Sequence, residues 1–300
     1  MVFPSGDQYE ISAAGYTAVV TEGGAALRVL RHHGRDLVHG FDETAMSTGG
    51  RGQLLMPWPN RIRDGRYSFG GHDLQLGLTD PRTGNASHGL ARWAPWTLEE
   101  HTATSVSLVH RLMAQSGYPW ALDLHVLYDL SADGLVVTQT ATNLATEPAP
   151  YASGAHPYLC VGDAIEDLEL TVPARSRLVL DDRQLPTGVE PVGELDLTGG
   201  RRIGDLVLDD ALGDLEHVDG RARVTLAEPS GGRGVALWVD EHHRWLQLFT
   251  PPADGPRPAL AVEPMTAPAD AFNSGTDLVT LAPAGAQGDE LSVQWGIHAV

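Results

Sequence analysis

The chain has 300 residues, of which 39 are acidic and 20 are basic, giving a formal charge of −19 at pH 7. All the basic residues are arginine, which excludes Schiff-base enzymes, pyridoxal-phosphate enzymes and P-loop nucleotidases, because each needs a lysine. The single cysteine, Cys160, excludes an internal disulfide and a cysteine-rich zinc site, and the acidic charge disfavours nucleic acid and anionic membranes as partners.

Short alternating segments, bounded by glycine, proline and polar turns, recur along the chain and predict β-strands. In chain order these segments are residues 16–20, 26–30, 66–69, 105–109, 122–128, 135–142, 168–172, 176–180, 222–226, 235–239, 245–249 and 291–297. The turn Ser131-Ala132-Asp133-Gly134 predicts the clearest hairpin, and residues 181–207, rich in glycine and aspartate, are predicted to form a loop. No stretch of twelve residues keeps a helical period, so the predicted fold class is all-β, a sandwich or a barrel.

The organisation of the chain is predicted to be simple. There is no linker, repeat or composition break, which predicts one domain over residues 1–300. No apolar run approaches twenty residues, and the first residues lack the basic start and apolar core of a signal peptide. We therefore expect a soluble cytoplasmic protein whose partner is small and neutral.

Three polar residues stand at turns where a side chain can face a pocket. His156 precedes Pro157, which predicts a strand end or turn, and its imidazole suits proton transfer; the alternative is a histidine that hydrogen-bonds backbone near a bend. His88 precedes Gly89, which permits close approach of a ligand, or it is an ordinary turn histidine. Arg61, which follows two prolines and a tryptophan, presents a rigid donor fork to sugar hydroxyls or a carboxylate, or it flanks a surface hairpin.

Two acidic positions are also candidates for a site. Glu263 ends an apolar run, and Pro264 is predicted to take the chain out of the strand at that point. A carboxylate there needs solvent, a partner or a ligand, because burying it unpaired is costly. Asp209 and Asp210 are predicted to lie in a solvated loop, with contact to a ligand as the alternative.

These separated motifs, taken in this order, resemble the aldose 1-epimerase (galactose mutarotase-like) family. The motifs that carry the resemblance are Asn60-Arg61-Ile62 with Gly65 and Gly71, His88-Gly89, His156-Pro157-Tyr158, Glu263-Pro264 and Gln294-Trp295-Gly296-Ile297. The resemblance covers nearly the whole chain. It implies a large antiparallel β-sandwich, the galactose mutarotase-like supersandwich, with the sugar site in a cleft on one broad face.

The resemblance also implies roles for individual residues. His156 would be the general acid and Glu263 the general base. The positions implied to bind the sugar are Asn60, Arg61, His88 and Asp209. Asp210 is the second match for the last of these, since Leu212 stands where the family usually has an aromatic residue after the aspartate. The segment His88-Gly89-Leu90-Ala91-Arg92 resembles family branches whose sugar is not established, which leaves the identity of the sugar open.

The implied reaction removes the C1 hydroxyl proton and protonates the ring oxygen, so that the ring opens to the aldehyde and recloses on the other face. A carboxylate and an imidazolium can perform both transfers, each contributing roughly 10²–10⁴ in rate, without a metal or cofactor. Glu263 is expected to stay ionised if Arg61 or the ligand hydroxyls stabilise its charge. Trp58 or Trp93 could stack on the sugar. The sequence therefore predicts a cofactor-independent mutarotase of a free aldohexose, as a monomer or homodimer.

Other functions stay open at this stage. A non-catalytic carbohydrate-binding β-sandwich would keep Arg61 and the aromatic residues without an acid and base pair. A glycosidase needs two carboxyl groups, and the sequence places only Glu263. A hexose-6-phosphate 1-epimerase needs an arginine cluster, for which the candidates are Arg61, Arg63, Arg66 and Arg92. A metal site would have to use histidines that lack ligand spacing, namely His32, His33, His242 and His243.

Overall fold

The computed structural model of the protein describes residues 2–162, 164–229, 231–252 and 255–300. Its strands are β1 (Gln8–Ala13), β2 (Tyr16–Thr21), β3 (Leu27–His32), β4 (Arg35–Asp36), β5 (Arg61–Ile62), β6 (Arg66–Phe69), β7 (His72–Gln75), β8 (Ala86–Ser87), β9 (Thr97–His101), β10 (Ser105–Leu112), β11 (Leu122–Ser131), β12 (Gly134–Asn143), β13 (Ala149–Tyr151), β14 (Tyr158–Leu159), β15 (Glu169–Thr171), β16 (Ser176–Leu180), β17 (Pro186–Pro191), β18 (Arg201–Arg202), β19 (Asp209–Gly213), β20 (Ala222–Ala227), β21 (Gly234–Val239), β22 (Trp245–Phe249), β23 (Leu260–Met265), β24 (Val279–Leu281) and β25 (Glu290–Ala299). The helical segments of the described residues are two 3₁₀ turns, Arg63–Gly65 and Gly193–Leu195, and one α-helical turn, α1 (Ala271–Ser274). None of the described helices is long and apolar enough to cross a bilayer. The all-β prediction is confirmed.

Two large antiparallel sheets dominate the architecture. The larger has nine strands in the order β18-β15-β20-β21-β25-β12-β11-β10-β9, and the smaller has six in the order β14-β23-β22-β19-β16-β17. A four-stranded meander, β1 to β4, and three two-stranded sheets accompany them. The predicted hairpin is confirmed, because Ser131 pairs with Gly134 where β11 turns into β12.

Strand alternation builds the core. On β11 buried residues alternate with more exposed ones from Leu122 to Leu130. Inward residues of this sheet, such as Leu124 and Val126, belong to the same continuous core as Leu246 of the six-stranded sheet. Because side chains alternate between the faces of a sheet, this packing leaves the other face of each large sheet free for other uses.

The outer face of the six-stranded sheet carries polar side chains that are nevertheless buried. Leu246 faces the core, whereas its neighbour Gln247 is buried on the opposite face. Gln247 pairs with Glu263 on β23, and Phe249 pairs with Asp209 on β19. Paired residues of adjacent strands share a face, so these side chains lie together on what we call the site face.

The predicted loop at residues 181–207 is wrong in part. It contains β17, which pairs with β16 at the edge of the six-stranded sheet, and the short strand β18. Pro186 and Pro191 bound β17, and Gly188 lies within it. Proline cannot donate to a sheet ladder, so it is tolerated at an edge strand, and this composition looks like a loop in the sequence.

Two further local predictions are corrected. Asp209 and Asp210 begin β19 and do not lie in a solvated loop. Pro264 does not end its strand, since β23 continues to Met265. Pro264 faces the irregular segment at Ala155, whose N–H donates to the Pro264 carbonyl at 3.1 Å, so the missing proline N–H interrupts no regular ladder.

Candidate active site

The candidate site is centred on a buried contact between His156 and Glu263. The His156 Nε2 atom lies 3.3 Å from Glu263 Oε1, and the two side chains are only 7% and 3% exposed. Glu263 comes from the site face of β23, and His156 comes from the irregular segment between β13 and β14. The structure therefore brings together two residues that are 107 positions apart in the sequence and were the proposed base and acid.

Backbone hydrogen bonds hold the His156 segment in place. The His156 N–H donates to the Gln53 carbonyl at 3.0 Å, and the Gly52 N–H donates to the His156 carbonyl at 2.9 Å. Leu54 and Ala155 continue this pairing as an isolated antiparallel bridge. As the sequence predicted, His156 lies at a strand end, between the bridge at Ala155 and the short strand β14, and its ring is buried against the loop that precedes Gln53.

Asn60 and His88 form a second, reciprocal contact. Both have left-handed backbone conformations, with φ of 54° and 62°, which non-glycine residues rarely adopt. The His88 N–H donates to the Asn60 carbonyl at 2.8 Å, and the Asn60 N–H donates to His88 Nδ1 at 3.2 Å. Since Nδ1 accepts, neutral His88 carries its proton on Nε2. The His88 ring lies 5.6 Å from that of His156, edge to face.

A chain of polar contacts connects the remaining site residues. Arg61 Nε donates to Asp80 at 2.9 Å, and Arg61 Nη1 donates to Asn60 Oδ1 at 3.1 Å. The Asn60 side-chain amide donates to Gln247 Oε1 at 3.1 Å, and Gln247 Nε2 donates to Asp209 Oδ1 at 2.9 Å. The structure thus connects Arg61, Asn60 and Asp209 through Gln247.

Gln247 was missed by sequence reasoning. The available signal was a polar residue between Leu246 and Leu248 in an apolar strand segment. A buried polar side chain in such a position must find partners, because leaving it unsatisfied costs about 1–3 kcal/mol. Alternation also decides between the two adjacent aspartates, since Asp209 shares the site face while Asp210 lies 3.7 Å from Arg177.

These residues line one cavity of about 480 Å³. The predicted residues in its lining are Asn60, Arg61, His88, His156, Asp209 and Glu263. One wall is the segment 46–50, which no sequence signal indicated. Of the two candidate tryptophans, Trp93 lines the cavity with 52% of its surface exposed, whereas Trp58 is buried and packs on Phe272 at 5.7 Å.

A wider groove of about 710 Å³ beside β17 is lined by Arg177 and Asp210 among others, but no histidine stands among its described lining residues. It therefore brings no imidazole next to a carboxyl group. The His156 cavity is the better candidate for proton-transfer chemistry, because reacting groups must first be in reach of one another.

Burial controls the protonation of the central pair. It raises the pKa of Glu263 well above the ordinary value, and the charge of Asp209 adds to this effect while Arg61 opposes it. Burial lowers the pKa of His156 to about 3. The charge of Arg61 does not offset the loss of solvent around Glu263, so of the two conditions for its ionisation the ligand hydroxyls remain, and that condition stays a prediction. Burial also lowers the pKa of His88 well below its usual range.

The side chains of His88, His156 and Glu263 are also potential metal ligands. One ligand atom from each of His88, His156 and Glu263 lies within 4.8 Å of the others. Two imidazoles and a carboxylate are a plausible ligand set for zinc. However, a ligating imidazole nitrogen must be unprotonated, and the hydrogen bond from Asn60 to Nδ1 leaves the His88 proton on Nε2. This tautomer suits donation to a sugar oxygen better than metal binding.

The arginine candidates separate into two groups. Arg61 and Arg92 line the cavity, joined by Arg82. Arg63 instead lies 3.4 Å from Asp270, and the exposed Arg66 donates to Gln75. The four candidate arginines therefore do not form one cluster. Two of them, Arg61 and Arg92, line the cavity together with Arg82, which the sequence did not indicate.

Comparison with known proteins agrees with this geometry. The sequence profile described as Aldose 1-epimerase matches residues 7–292, so the chain belongs to the aldose 1-epimerase family. The resemblance seen in the sequence is confirmed. The uncharacterized protein YihR of Escherichia coli K12 is 35% identical over 281 residues, covering 92% of this chain and 89% of that protein. Mouse galactose mutarotase is 28% identical over 200 residues, covering 61% of this chain and 55% of that protein.

Solved structures agree on the fold. The GalM/aldose epimerase homologue from Caenorhabditis elegans has a TM-score of 0.85 at 21% identity, covering 98% of each chain. Galactose 1-epimerase from Lactobacillus acidophilus NCFM has a TM-score of 0.78 at 21% identity, covering 95% of this chain and 92% of the other. The galactose mutarotase-like sandwich predicted for this chain is therefore confirmed.

Proposed function

We propose that this protein is a cofactor-independent mutarotase that interconverts the α and β anomers of a free aldohexose. The observation that carries the proposal is the buried contact of 3.3 Å between His156 Nε2 and Glu263 Oε1, in the cavity that also holds His88 and Arg61. An acid and a base in mutual contact are what anomerisation needs, whereas a carbohydrate-binding module has no use for them.

One proton on the central pair is enough for the reaction. In the free site Glu263 holds that proton and His156 is neutral, as their pKa shifts indicate. Passing the proton across the contact gives a carboxylate and an imidazolium without changing the total charge. Glu263 Oε2 has no partner among the described residues, so sugar hydroxyls that donate to it would favour this second state.

The roles of the two residues follow from this ion pair of the Glu263 carboxylate and the His156 imidazolium. Glu263 removes the proton of the C1 hydroxyl while His156 protonates the ring oxygen, and the ring opens to the aldehyde. Rotation about C1–C2 and closure with the two transfers reversed give the other anomer. His88, with its proton on Nε2, donates to a sugar oxygen, and the connected side chains of Arg61, Asn60, Gln247 and Asp209 hold the hydroxyls.

Polarimetry of freshly dissolved α-glucose and α-galactose tests this proposal. The purified protein should accelerate the change in rotation, and His156→Gln and Glu263→Gln should each reduce kcat by at least about 100-fold. Matched controls exist in the chain, because His125 and Glu99 form another contact, at 2.9 Å, on the exposed part of the large sheet. His125→Gln and Glu99→Gln should keep full activity. Equal loss in the control variants, or none in the site variants, would contradict the proposal.

A second candidate is a 1-epimerase of a hexose that carries an anionic group, such as a 6-phosphate. The specific observation is the surplus of positive charge in the cavity. Its described lining includes three arginines but only two aspartates, and burial raises the pKa of Glu263 well above its ordinary value, which disfavours a third negative charge. Arg61 is bound to Asp80, whereas neither Arg82 nor Arg92 has a carboxylate within 4.0 Å among the described residues. Arginine is well suited to bind phosphate oxygens.

Substrate competition separates the two candidates. If the anionic sugar is the substrate, glucose 6-phosphate should anomerise with a higher kcat/KM than glucose, and salt should reduce this advantage. Arg82→Gln and Arg92→Gln should then raise KM for the phosphorylated sugar alone. Arg66→Gln removes an exposed arginine outside the cavity and is the control. A higher kcat/KM for the neutral sugar would reject the second candidate.

A further inference from the structure

The imidazole of His156 is oriented in an unusual way. A catalytic histidine is commonly held by a hydrogen bond to the ring nitrogen that faces away from the substrate. Here Nε2 contacts Glu263, but Nδ1 has no hydrogen-bond partner among the described residues. The contact with Glu263 is therefore the one side-chain polar contact of the ring among the described residues, and packing must supply the rest of the restraint on rotation about χ2.

Tyr158 provides that packing. Its ring lies parallel to the imidazole of His156, with centroids 5.0 Å apart and an angle of 6° between the planes. Tyr158 is itself 3% exposed, and it is two residues further along the chain, at the start of β14, so its position is set by the sheet.

The hydroxyl of Tyr158 makes a second contact with the cavity wall. It donates to the Gly49 carbonyl at 2.8 Å, and burial raises its pKa, so the phenol stays neutral and keeps donating. Gly49 and Gly50 belong to the segment 46–50 that lines the cavity. Gly50 packs directly on the imidazole, because a Cβ built there would lie 2.6 Å from Cδ2 of His156.

We propose that Tyr158 is the positioning residue of this site, with two separable effects. Its ring fixes the plane of the His156 imidazole against Glu263 by stacking. Its hydroxyl fixes the segment 46–50 as the wall that the sugar meets. This proposal rests on the proposed mutarotase function for its kinetic consequences, but the structural effects on His156 and on the wall do not depend on that activity.

Two variants separate the two effects. Tyr158→Phe keeps the stacked ring and removes the hydrogen bond to Gly49, so kcat should stay within about two-fold while KM rises about five-fold, the equivalent of one lost hydrogen bond. Tyr158→Leu also removes the stacked ring, so kcat should fall at least about ten-fold further, because a displaced catalytic group loses much of its rate. Tyr128→Phe is the matched control, since it removes another buried tyrosine hydroxyl that donates to a backbone carbonyl, at 2.6 Å to Ala25.

A merely structural role predicts a different result. In that case Tyr158→Phe and Tyr128→Phe would lower the melting temperature alike, and neither would change KM. Equal KM in both variants, or a kcat in Tyr158→Leu equal to that of Tyr158→Phe, would overturn the proposal.

NMR of the imidazole makes the test independent of the proposed activity. The stacked tyrosine should shift the ring proton signals of His156 upfield, identified by their loss in His156→Gln. Tyr158→Phe should keep that shift and Tyr158→Leu should lose it, with folding checked by circular dichroism. If the wild type accelerates no anomerisation but these shifts follow the prediction, the proposed function fails and the positioning role stands. Unchanged shifts in Tyr158→Leu would reject the positioning role.

Discussion

Two histidine–glutamate contacts in this protein have the same chemistry and different surroundings. His156 and Glu263 are 3.3 Å apart with side chains 7% and 3% exposed, whereas His125 and Glu99 are 2.9 Å apart with 34% and 53% exposed. Water and ions screen the exposed pair, and pairs of that kind usually contribute little to stability. The exposed contact is the shorter one, so distance alone does not identify the reactive pair.

The buried pair differs from the exposed pair because ionising either of its residues away from solvent is costly in free energy. Without solvent, the pKa of Glu263 is raised and that of His156 is lowered, so both prefer to be neutral until a ligand arrives. The ion pair that the reaction needs is therefore disfavoured in the free site and forms when sugar hydroxyls donate to Glu263, so that proton transfer is coupled to ligand binding. The same two residue types on the surface have no comparable reason to exchange a proton.

The largest expected difference between the pairs is in the kinetics of double variants. Because His156 and Glu263 share one proton, His156→Gln with Glu263→Gln should lose about the same activity as either alone, about 10²–10⁴ in kcat. For His125→Gln with Glu99→Gln, no loss is expected. Initial rates of anomerisation by polarimetry measure both cycles. Losses that multiply in the buried pair would show that the two residues act independently.

A smaller loss of kcat is expected when the His156 ring is displaced while both residues of the buried pair are kept. Gly50→Ala places a methyl group 2.6 Å from Cδ2 of His156 and has a strained φ, because Gly50 has φ of +75°. The ring must move away from its contact with Glu263, and kcat should fall by about ten-fold or more. Gly188→Ala, where nothing lies within 4 Å of the added methyl group, is the control. A steady-state kcat equal to that of the wild type would show that the ring tolerates displacement.

Changing a neighbouring charge should shift the pH profile of the buried pair. The charge of Asp209 raises the pKa of Glu263, so Asp209→Asn should lower that pKa and move the alkaline limb of kcat/KM to lower pH. KM should also rise several-fold, because Asp209 holds sugar hydroxyls in the proposed function. Asp210→Asn should leave the pH limb in place, since Asp210 faces Arg177. Identical pH profiles for Asp209→Asn and Asp210→Asn would contradict the assignment of the two aspartates to opposite faces of β19.

The smallest expected effect concerns stability. The folded state of the wild type holds a proton on Glu263 that the unfolded chain releases above about pH 4.3, so its stability falls as pH rises from there towards the folded pKa. Glu263→Gln does not titrate and should melt roughly 4–8 °C higher at neutral pH, corresponding to about 2 kcal/mol, with a smaller gain near pH 4. Glu99→Gln should show no gain that grows with pH. Melting curves between pH 4 and 8 provide the measurement.

The sequence predicted which residues form the site better than it predicted their contacts and their protonation. The family pattern identified His156, Glu263, Arg61 and His88, and alternation identified most strands. Each motif and each alternating segment is short, so neighbouring residues suffice to recognise it. Gln247 was not predicted, since its role depends on which strands are neighbours and on its register with Glu263. The protonation of Glu263 was predicted only conditionally, because burial depends on the whole fold, and here it outweighs the nearby arginine.

The segment 46–50 illustrates the same limit for the cavity wall. No sequence signal indicated this wall, because the contact of Gly50 with His156 depends on a backbone pairing across about a hundred residues. The tryptophan pair is similar, since Trp58 stands between Pro57 and Pro59, Trp93 stands between Arg92 and Ala94, and neither neighbourhood indicates whether the ring is buried. Only the folded structure separates the buried ring from the ring that lines the cavity.

The reciprocal contact of Asn60 and His88 has a consequence for how this site can change over time. Each residue occupies a left-handed conformation that costs of order 1 kcal/mol, and each is held there by a hydrogen bond from the other. The two turns, 28 positions apart, are therefore coupled in one direction: both bonds use backbone atoms of Asn60, whereas Nδ1 belongs to the side chain of His88. Replacing His88 removes a support for the conformation of Asn60, while replacing Asn60 leaves both backbone groups in place. We expect substitution of His88 to disturb both turns, so that a lineage acquiring a new sugar preference would alter the far side of the cavity before it altered His88.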